Sequence, residues 1–129
     1  MRIRAGGKME KIQNPKQYDL EERTFKFAKN VRLFIKSLPK TTANFEDGKQ
    51  LIRSSGSVGA NYIEANESLS KKDFLMRIKI SRKEAKESRY WLNLIDTLGD
   101  KDLEETRKNL EKEASELMMI FSSIMRKSE

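Results

Sequence analysis

The sequence predicts an all-α fold, an antiparallel up-down-up-down four-helix bundle. Apolar residues recur at alternating intervals of three and four, the spacing that lines one face of an α-helix. Charged residues make up 36% of the 129-residue chain and there are only two prolines. That composition is typical of long helices whose apolar side chains are confined to stripes. The connections between the periodic segments are short, and short connections make successive helices antiparallel neighbours.

Two regions are predicted, a flexible basic arm over residues 1–17 and the bundle over residues 18–129. The arm has few large apolar side chains whose burial could offset the entropy lost on ordering. A chain of this length forms one domain, and its core can bury about two thirds of the unfolded surface.

The first helix is expected over residues 20–38, because Asp19 and Glu22 have the spacing of a capping box and Pro39 cannot continue the helix. The second helix is expected over residues 45–69, where a stripe with 4-3-4-3-4 spacing runs. The residues of this second stripe are Leu51, Ser55, Val58, Tyr62, Ala65 and Leu69.

The third helix is predicted to begin after Ser70, which opens another capping box, and to end at Gly99, a typical C-terminal cap. The fourth helix is expected to follow Asp100 or Asp102 and to extend to about residue 127. The stripe of the third helix consists of Phe74, Ile78, Ser81, Ala85, Ser88, Leu92 and Ile95.

A run of small residues interrupts the second helix at residues 54–60. Each glycine in it costs about 1 kcal/mol of helix stability relative to alanine, so tertiary packing must compensate. We expect the small side chains to face Ser81, Ala85 and Ser88 of the third helix at close backbone separation. A phosphate-binding glycine loop is the alternative, but the segment lacks the required lysine and a preceding strand.

A second line of residues runs along the third helix beside the stripe already described, and we call it the polar seam. It indicates either a wide core edge or a subunit interface. Polar groups there and on the second helix are predicted to form structural ion pairs or interface contacts. The di-metal sites of helical bundles use Glu-x-x-His pairs, and this chain has no histidine, so no metal site is predicted. No nucleophile or substrate pocket is identifiable, so no catalytic residue is predicted either. The predicted structural or interface residues are Arg53, Asn61, Glu64, Arg77, Glu84, Glu87 and Trp91.

The net charge of +7 is concentrated in residues 1–17 and 71–98, each of which carries +4. The outward side of the third helix is almost wholly positive and includes Tyr90, whereas a solvated surface ordinarily mixes both signs. This pattern favours a surface for nucleic acid, read through backbone and shape. The alternative is an ordinary surface compensated by acidic groups of a neighbour. The predicted nucleic-acid-binding residues are Lys72, Lys79, Arg82, Lys83, Lys86 and Arg89.

Several function classes are disfavoured by composition. The chain has neither cysteine nor histidine, which excludes disulfides and removes the commonest general base and metal ligand. No apolar run approaches the roughly 20 residues that span a bilayer, and the N-terminus has no signal-peptide core. We therefore expect a cytoplasmic protein that is not an enzyme, with no cofactor and no membrane partner.

Residues 50–65 carry a resemblance to the proteins encoded in intervening sequences of bacterial 23S rRNA genes. That family's pattern runs roughly Gln-Leu-Arg-Arg-Ala-Ala-x-Ser-Val-Pro-x-Asn-Ile-Ala-Glu-Gly, and here the segment reads QLIRSSGSVGANYIEA. Gly59 stands where the family often has proline, and Ala65 stands where the pattern ends in glycine. The resemblance extends over residues 18–127 and includes the segment KKDFLMRIKISRKEAKESRYWL.

The resemblance implies a four-helix bundle with no established catalytic activity, assembled as a homopentamer. A related protein, the accessory variability determinant of diversity-generating retroelements, has the same architecture and binds reverse transcriptase and nucleic acid through a basic surface. By this resemblance, we expect a non-enzymatic oligomer that associates with RNA or DNA, with or without a protein partner. The alternative is a structural or adaptor ring whose partners are only proteins.

Overall fold

The computed structural model describes residues 15–129, and side chains from Leu20 onward. Four helices make up this part of the chain, and it contains no strand, so the all-α prediction is confirmed. Of the arm predicted over residues 1–17, residues 1–14 lie outside the described residues. The flexible arm therefore stays a prediction. The helices are α1 (Pro15–Lys36), α2 (Thr42–Asn66), α3 (Lys71–Leu94) and α4 (Lys101–Ser128).

Three helices begin at side-chain caps. Thr41, Ser70 and Asp100 each precede a helix and accept a hydrogen bond from the backbone N–H three residues later, at 3.1, 3.1 and 3.0 Å. Each such cap contributes about 1 kcal/mol. The starts predicted for α3 and α4 are therefore confirmed. The start predicted for α1 is wrong: the helix already begins at Pro15, a residue suited to the first turn, and Asp19 lies inside it.

The end predicted for α3 is also wrong. The helix stops at Leu94, five residues before Gly99, and the chain continues without helical structure to Asp100. Leu98 and Gly99 have φ values of 54° and 80° and form the turn into α4. Residues 95–97 therefore lie between the end of α3 and this turn rather than in the helix.

Neighbouring helices run antiparallel. Ser54 Oγ lies 2.9 Å from Ser88 Oγ, and one helical turn further along α2 the carbonyl of Val58 accepts a 2.9 Å hydrogen bond from Ser81 Oγ. Residue numbers thus fall along α3 as they rise along α2. The same order holds between α3 and α4 for the pairs Arg89–Ser115 and Arg82–Ser122.

The core lies where the four apolar stripes meet. The largest side chains that it buries completely include Phe27, Phe121, Leu51, Ile78 and Leu92. The stripes predicted for α2 and α3 are therefore confirmed, with one exception. Leu69 follows the end of α2 and is fully exposed.

The small residues of α2 serve two neighbours, which corrects the prediction that they all face α3. Ser54 and Ser55 are fully buried, and Ser54 contacts α3. Gly59 faces α1 instead, where a Cβ atom would lie 2.8 Å from Oγ1 of Thr24. That distance is too short for any real Cβ, so glycine is required for this close approach of α1 and α2. The prediction failed because residues 54–60 make about two α-helical turns and are therefore distributed around the whole circumference of the helix.

Candidate nucleic-acid interface

The candidate interface lies on the outer side of α3 and continues onto the edge of α4. Four of its side chains, Lys72, Lys79, Lys83 and Lys86, are exposed as predicted. They begin in the first turn of α3, which Ser70 caps, and extend over about four turns. Together with two arginines they form a surface that we call the basic face. Its members are Lys72, Lys79, Arg82, Lys83, Lys86 and Arg89.

The two arginines of the basic face are not directed freely outward, which corrects their predicted orientation. Arg82 donates a hydrogen bond to Ser122 Oγ at 3.3 Å, and Arg89 donates one to Ser115 Oγ at 3.0 Å. Both arginines are half-buried against α4. A guanidinium has five N–H donors, so several remain for a ligand after one hydrogen bond to a serine. The α4 serines thus hold two positive charges in place at the groove between α3 and α4.

No side chain of the basic face forms an ion pair with a carboxylate among the described residues. Two acidic groups of α4 pair with α1 instead. Arg23 lies 2.7 Å from Glu113 and 2.6 Å from Glu116. Its hydrogen bond to Glu113 is the main reason that its pKa is raised above the ordinary value. The charge of the basic face is therefore left without direct compensation within this part of the chain.

A groove of about 590 Å³ runs between α3 and α4 along the basic face. Its lining combines the apolar residues Ile80 and Met118 with lysine and arginine groups. Such a combination of apolar and positive groups suits a ligand with both charged and flat apolar parts. The lining residues are Lys79, Ile80, Arg82, Lys83, Lys86, Met118 and Ser122.

The predicted polar seam lies between α2 and α3, on the other side of α3. Arg53 pairs with two carboxylates, Nη1 at 3.5 Å from Glu84 and Nη2 at 3.1 Å from Glu87. Arg77 donates a 3.0 Å hydrogen bond to Oδ1 of Asn61. The structure thus brings these five residues into three contacts that join α2 to α3.

Glu84 is the most buried charged residue of this seam, with 7% of its surface exposed. Its Oε1 atom is buried and accepts no hydrogen bond within the described residues, although Arg53 lies nearby. Trp91 is half-buried at the core edge and meets the ring of Tyr90 edge-on, with centroids 5.1 Å apart. Glu64 is exposed, and its side chain does not join the contacts of the seam.

Sequence reasoning missed an apolar groove of about 390 Å³ between α1 and α2. Phe25 and Ile63 border it and are 64% and 50% exposed. Both lie outside the core stripes of their helices, which is the signal that could have revealed them. We call this surface the apolar groove, and its principal residues are Phe25, Ala28, Gly56, Gly59, Ala60 and Ile63.

Two further findings concern ligands and membranes. Over residues 15–129, no three acidic residues are grouped so that they could hold a metal ion. None of the four described helices combines the length and the apolar character that crossing a membrane requires.

The fold and its surface define a small four-helix bundle with a one-sided basic face. The family model of the 23S rRNA-intervening sequence protein matches residues 16–123. The chain therefore belongs to the 23S rRNA-intervening sequence protein family, as its residues 50–65 predicted.

One solved relative supports this assignment. A crystal structure of a protein of unknown function from the S23 ribosomal protein family of Bacteroides thetaiotaomicron is similar, with a TM-score of 0.74 and 28% sequence identity. The similarity covers 86% of this chain and 98% of that chain. Among curated proteins, none matches this chain.

Proposed function

We propose that this protein is a non-enzymatic, oligomeric accessory protein that binds RNA or DNA through the basic face. The observation that carries the proposal is the lack of ion pairing at that face within the described residues. Six positive side chains lie along one helix, and no carboxylate of the described chain pairs with them. A polyanion would supply the missing charge, and the release of its counterions would favour binding.

The proposed binding is directed at phosphates rather than at base edges. Lysine and arginine contacts to phosphates position a protein on nucleic acid but carry no sequence information. We therefore expect little sequence preference and a steep loss of affinity with salt. Each phosphate that is neutralised adds roughly 0.7 to 0.9 to the slope of log K against log salt. The cytoplasm is the compartment in which we place this activity.

We also propose that the protein assembles as a homopentamer. Family membership supports this assembly, and so does the apolar groove, because exposed apolar patches are typical of protein interfaces. Five copies of the basic face would act together on one ligand. The effective concentration of linked sites would then turn a modest affinity per subunit into a measurable one.

The test is fluorescence anisotropy with labelled RNA and DNA at low and physiological salt. The triple variant Lys79→Glu, Lys83→Glu and Lys86→Glu should abolish binding while the helical content is unchanged. A matched control reverses three exposed lysines away from both the basic face and the apolar groove, Lys26, Lys36 and Lys40, and so changes the net charge equally. This control should retain most of the affinity.

A second candidate function is a structural or adaptor ring with only protein partners, which the apolar groove favours. Correctly assembled protein that binds no nucleic acid at low salt would exclude the first function and support this one. Equal losses of affinity in the two triple variants would show that net charge, rather than the basic face, drives the binding.

A further inference from the structure

Tyr90 extends the line of lysines on α3 by one more turn. The residues Lys79, Lys83, Lys86 and Tyr90 are separated by four, three and four positions, so they follow one another along the same side of the helix. The side chain of Tyr90 is 59% exposed. An aromatic ring is thus presented to solvent at the end of a row of positive charges.

The position of this ring is well defined. It meets the ring of Trp91 edge-on, at an interplanar angle of 79°. Trp91 in turn packs against the core, and the preceding residue, Arg89, is hydrogen-bonded to α4. An aromatic ring that is braced at one edge loses little further freedom when a second flat group stacks on its face.

We propose that Tyr90 stacks on an unpaired base, and that the basic face consequently prefers single-stranded nucleic acid to a duplex. This inference rests on the proposed function and specifies its ligand. A row of basic groups with an adjoining aromatic ring is the combination by which proteins hold single strands without reading their sequence.

The free energy needed to expose a base to Tyr90 differs between a single strand and a duplex. In a single strand the bases can turn toward the protein while the phosphates follow the lysines. In a duplex the bases are already stacked and paired. A base therefore reaches Tyr90 only after a base-pair step of the duplex has been unstacked and opened. Opening a step costs about as much free energy as one aromatic contact returns. A duplex therefore gains only the phosphate contacts.

Other exposed aromatic rings do not share this setting. Among the described residues, Phe25 and Phe45 are exposed to a similar extent, 64% and 65%. Phe25 borders the apolar groove. Phe45 lies on α2, and the ammonium group of Lys49 lies over its ring. Lys49 also forms an ion pair with Glu46. Phe45 is therefore a matched control, an exposed ring beside a lysine but away from the basic face.

The experiment compares three variants, Tyr90→Ala, Tyr90→Phe and Phe45→Ala, with the unaltered protein. The probes are a labelled oligo(dT) strand, an oligo(U) strand and a blunt DNA duplex of equal length, at one salt concentration. Tyr90→Ala should weaken binding of both single strands by about 5- to 150-fold and leave the duplex affinity unchanged. Tyr90→Phe and Phe45→Ala should bind as the unaltered protein does. The fluorescence of a strand that carries 2-aminopurine should be quenched when the protein binds it. This quenching should disappear with Tyr90→Ala.

Failure of this inference is distinguishable from failure of the proposed function. Equal affinity of the unaltered protein for strand and duplex, or an unchanged affinity in Tyr90→Ala, would overturn the stacking role while the lysine reversals still abolished binding. If no probe binds even at low salt, the proposed function and this inference both fail. Circular dichroism of each variant verifies that the compared proteins are equally folded.

Discussion

The side-chain amide of Asn44 is hydrogen-bonded to both backbone groups of Asp96. Its Nδ2 donates to the carbonyl oxygen of Asp96 at 2.8 Å, and its Oδ1 accepts from the N–H of Asp96 at 2.9 Å. A third bond joins Nδ2 to the carbonyl of Pro39 at 3.2 Å. Asn44 is 4% exposed, so this one side chain replaces the backbone partners that Asp96 loses where α3 ends.

Replacement of Asn44 by alanine should lower the free energy of unfolding by about 1 to 3 kcal/mol, because buried backbone groups would lose their partners. Urea denaturation measures the change. The control is Asn30→Ala, at an exposed position of α1, which should change stability by less than about 0.5 kcal/mol. Similar urea midpoints for both variants would show that water replaces the hydrogen bonds of Asn44 without a cost in the free energy of unfolding.

Gly59→Ala should destabilise the protein by about 1 to 3 kcal/mol, although alanine is the better helix former. The new methyl group would lie 2.8 Å from Oγ1 of Thr24 and force α1 and α2 apart. Gly48→Ala is the matched control in the same helix. Its Cβ would meet Ile35 at an ordinary 3.6 Å, so we expect a small gain in stability. Thermal melts compare the two, and an unchanged melting temperature in Gly59→Ala would contradict the close approach of α1 and α2.

Light scattering coupled to size exclusion should give a mass about five times 15.1 kDa. Introducing glutamate at both Phe25 and Ile63 should reduce this mass, because charged groups in the apolar groove would have to lose their hydration in an interface. Met119→Glu, at an α4 position that is 67% exposed, should leave the assembly intact. A monomer that persists at every concentration would refute the ring.

Stability should fall at acidic pH through Glu104. The hydrogen bond from Arg107, and then that from Thr97, lower the pKa of this carboxylate in the folded state. A group with a depressed folded pKa contributes stability above its unfolded pKa of about 4.3, and this contribution is lost as the pH falls through the folded value. Chemical denaturation at a series of pH values should therefore show a shallower acid dependence in Glu104→Gln than in the unaltered protein. Parallel curves would show that Glu104 does not contribute.

The periodicity of apolar residues predicted the buried core well. It predicted the ends of the helices and the contacts of their outer faces less well. The stripes of α2 and α3 are buried as expected, because a spacing of three and four is a direct consequence of helical geometry. The start of α1 was misplaced because Asp19 has a cap-like pattern that the helix passes through. The early end of α3 depends on Asn44, which lies 52 residues from Asp96 and gives no local signal.

The sequence by itself determined that this protein is a bundle of four helices and which side chains fill its core, since both follow from the local period of apolar residues and from short connections. It also determined the family, through residues 50–65, and the excess of positive charge on α3. Tertiary structure decided that Gly59 faces α1, that Arg82 and Arg89 lie against serines of α4, and that Glu113 and Glu116 pair with Arg23 rather than with the basic face. These contacts depend on how each helix is rotated about its axis, and that rotation is settled only when all four apolar stripes pack together.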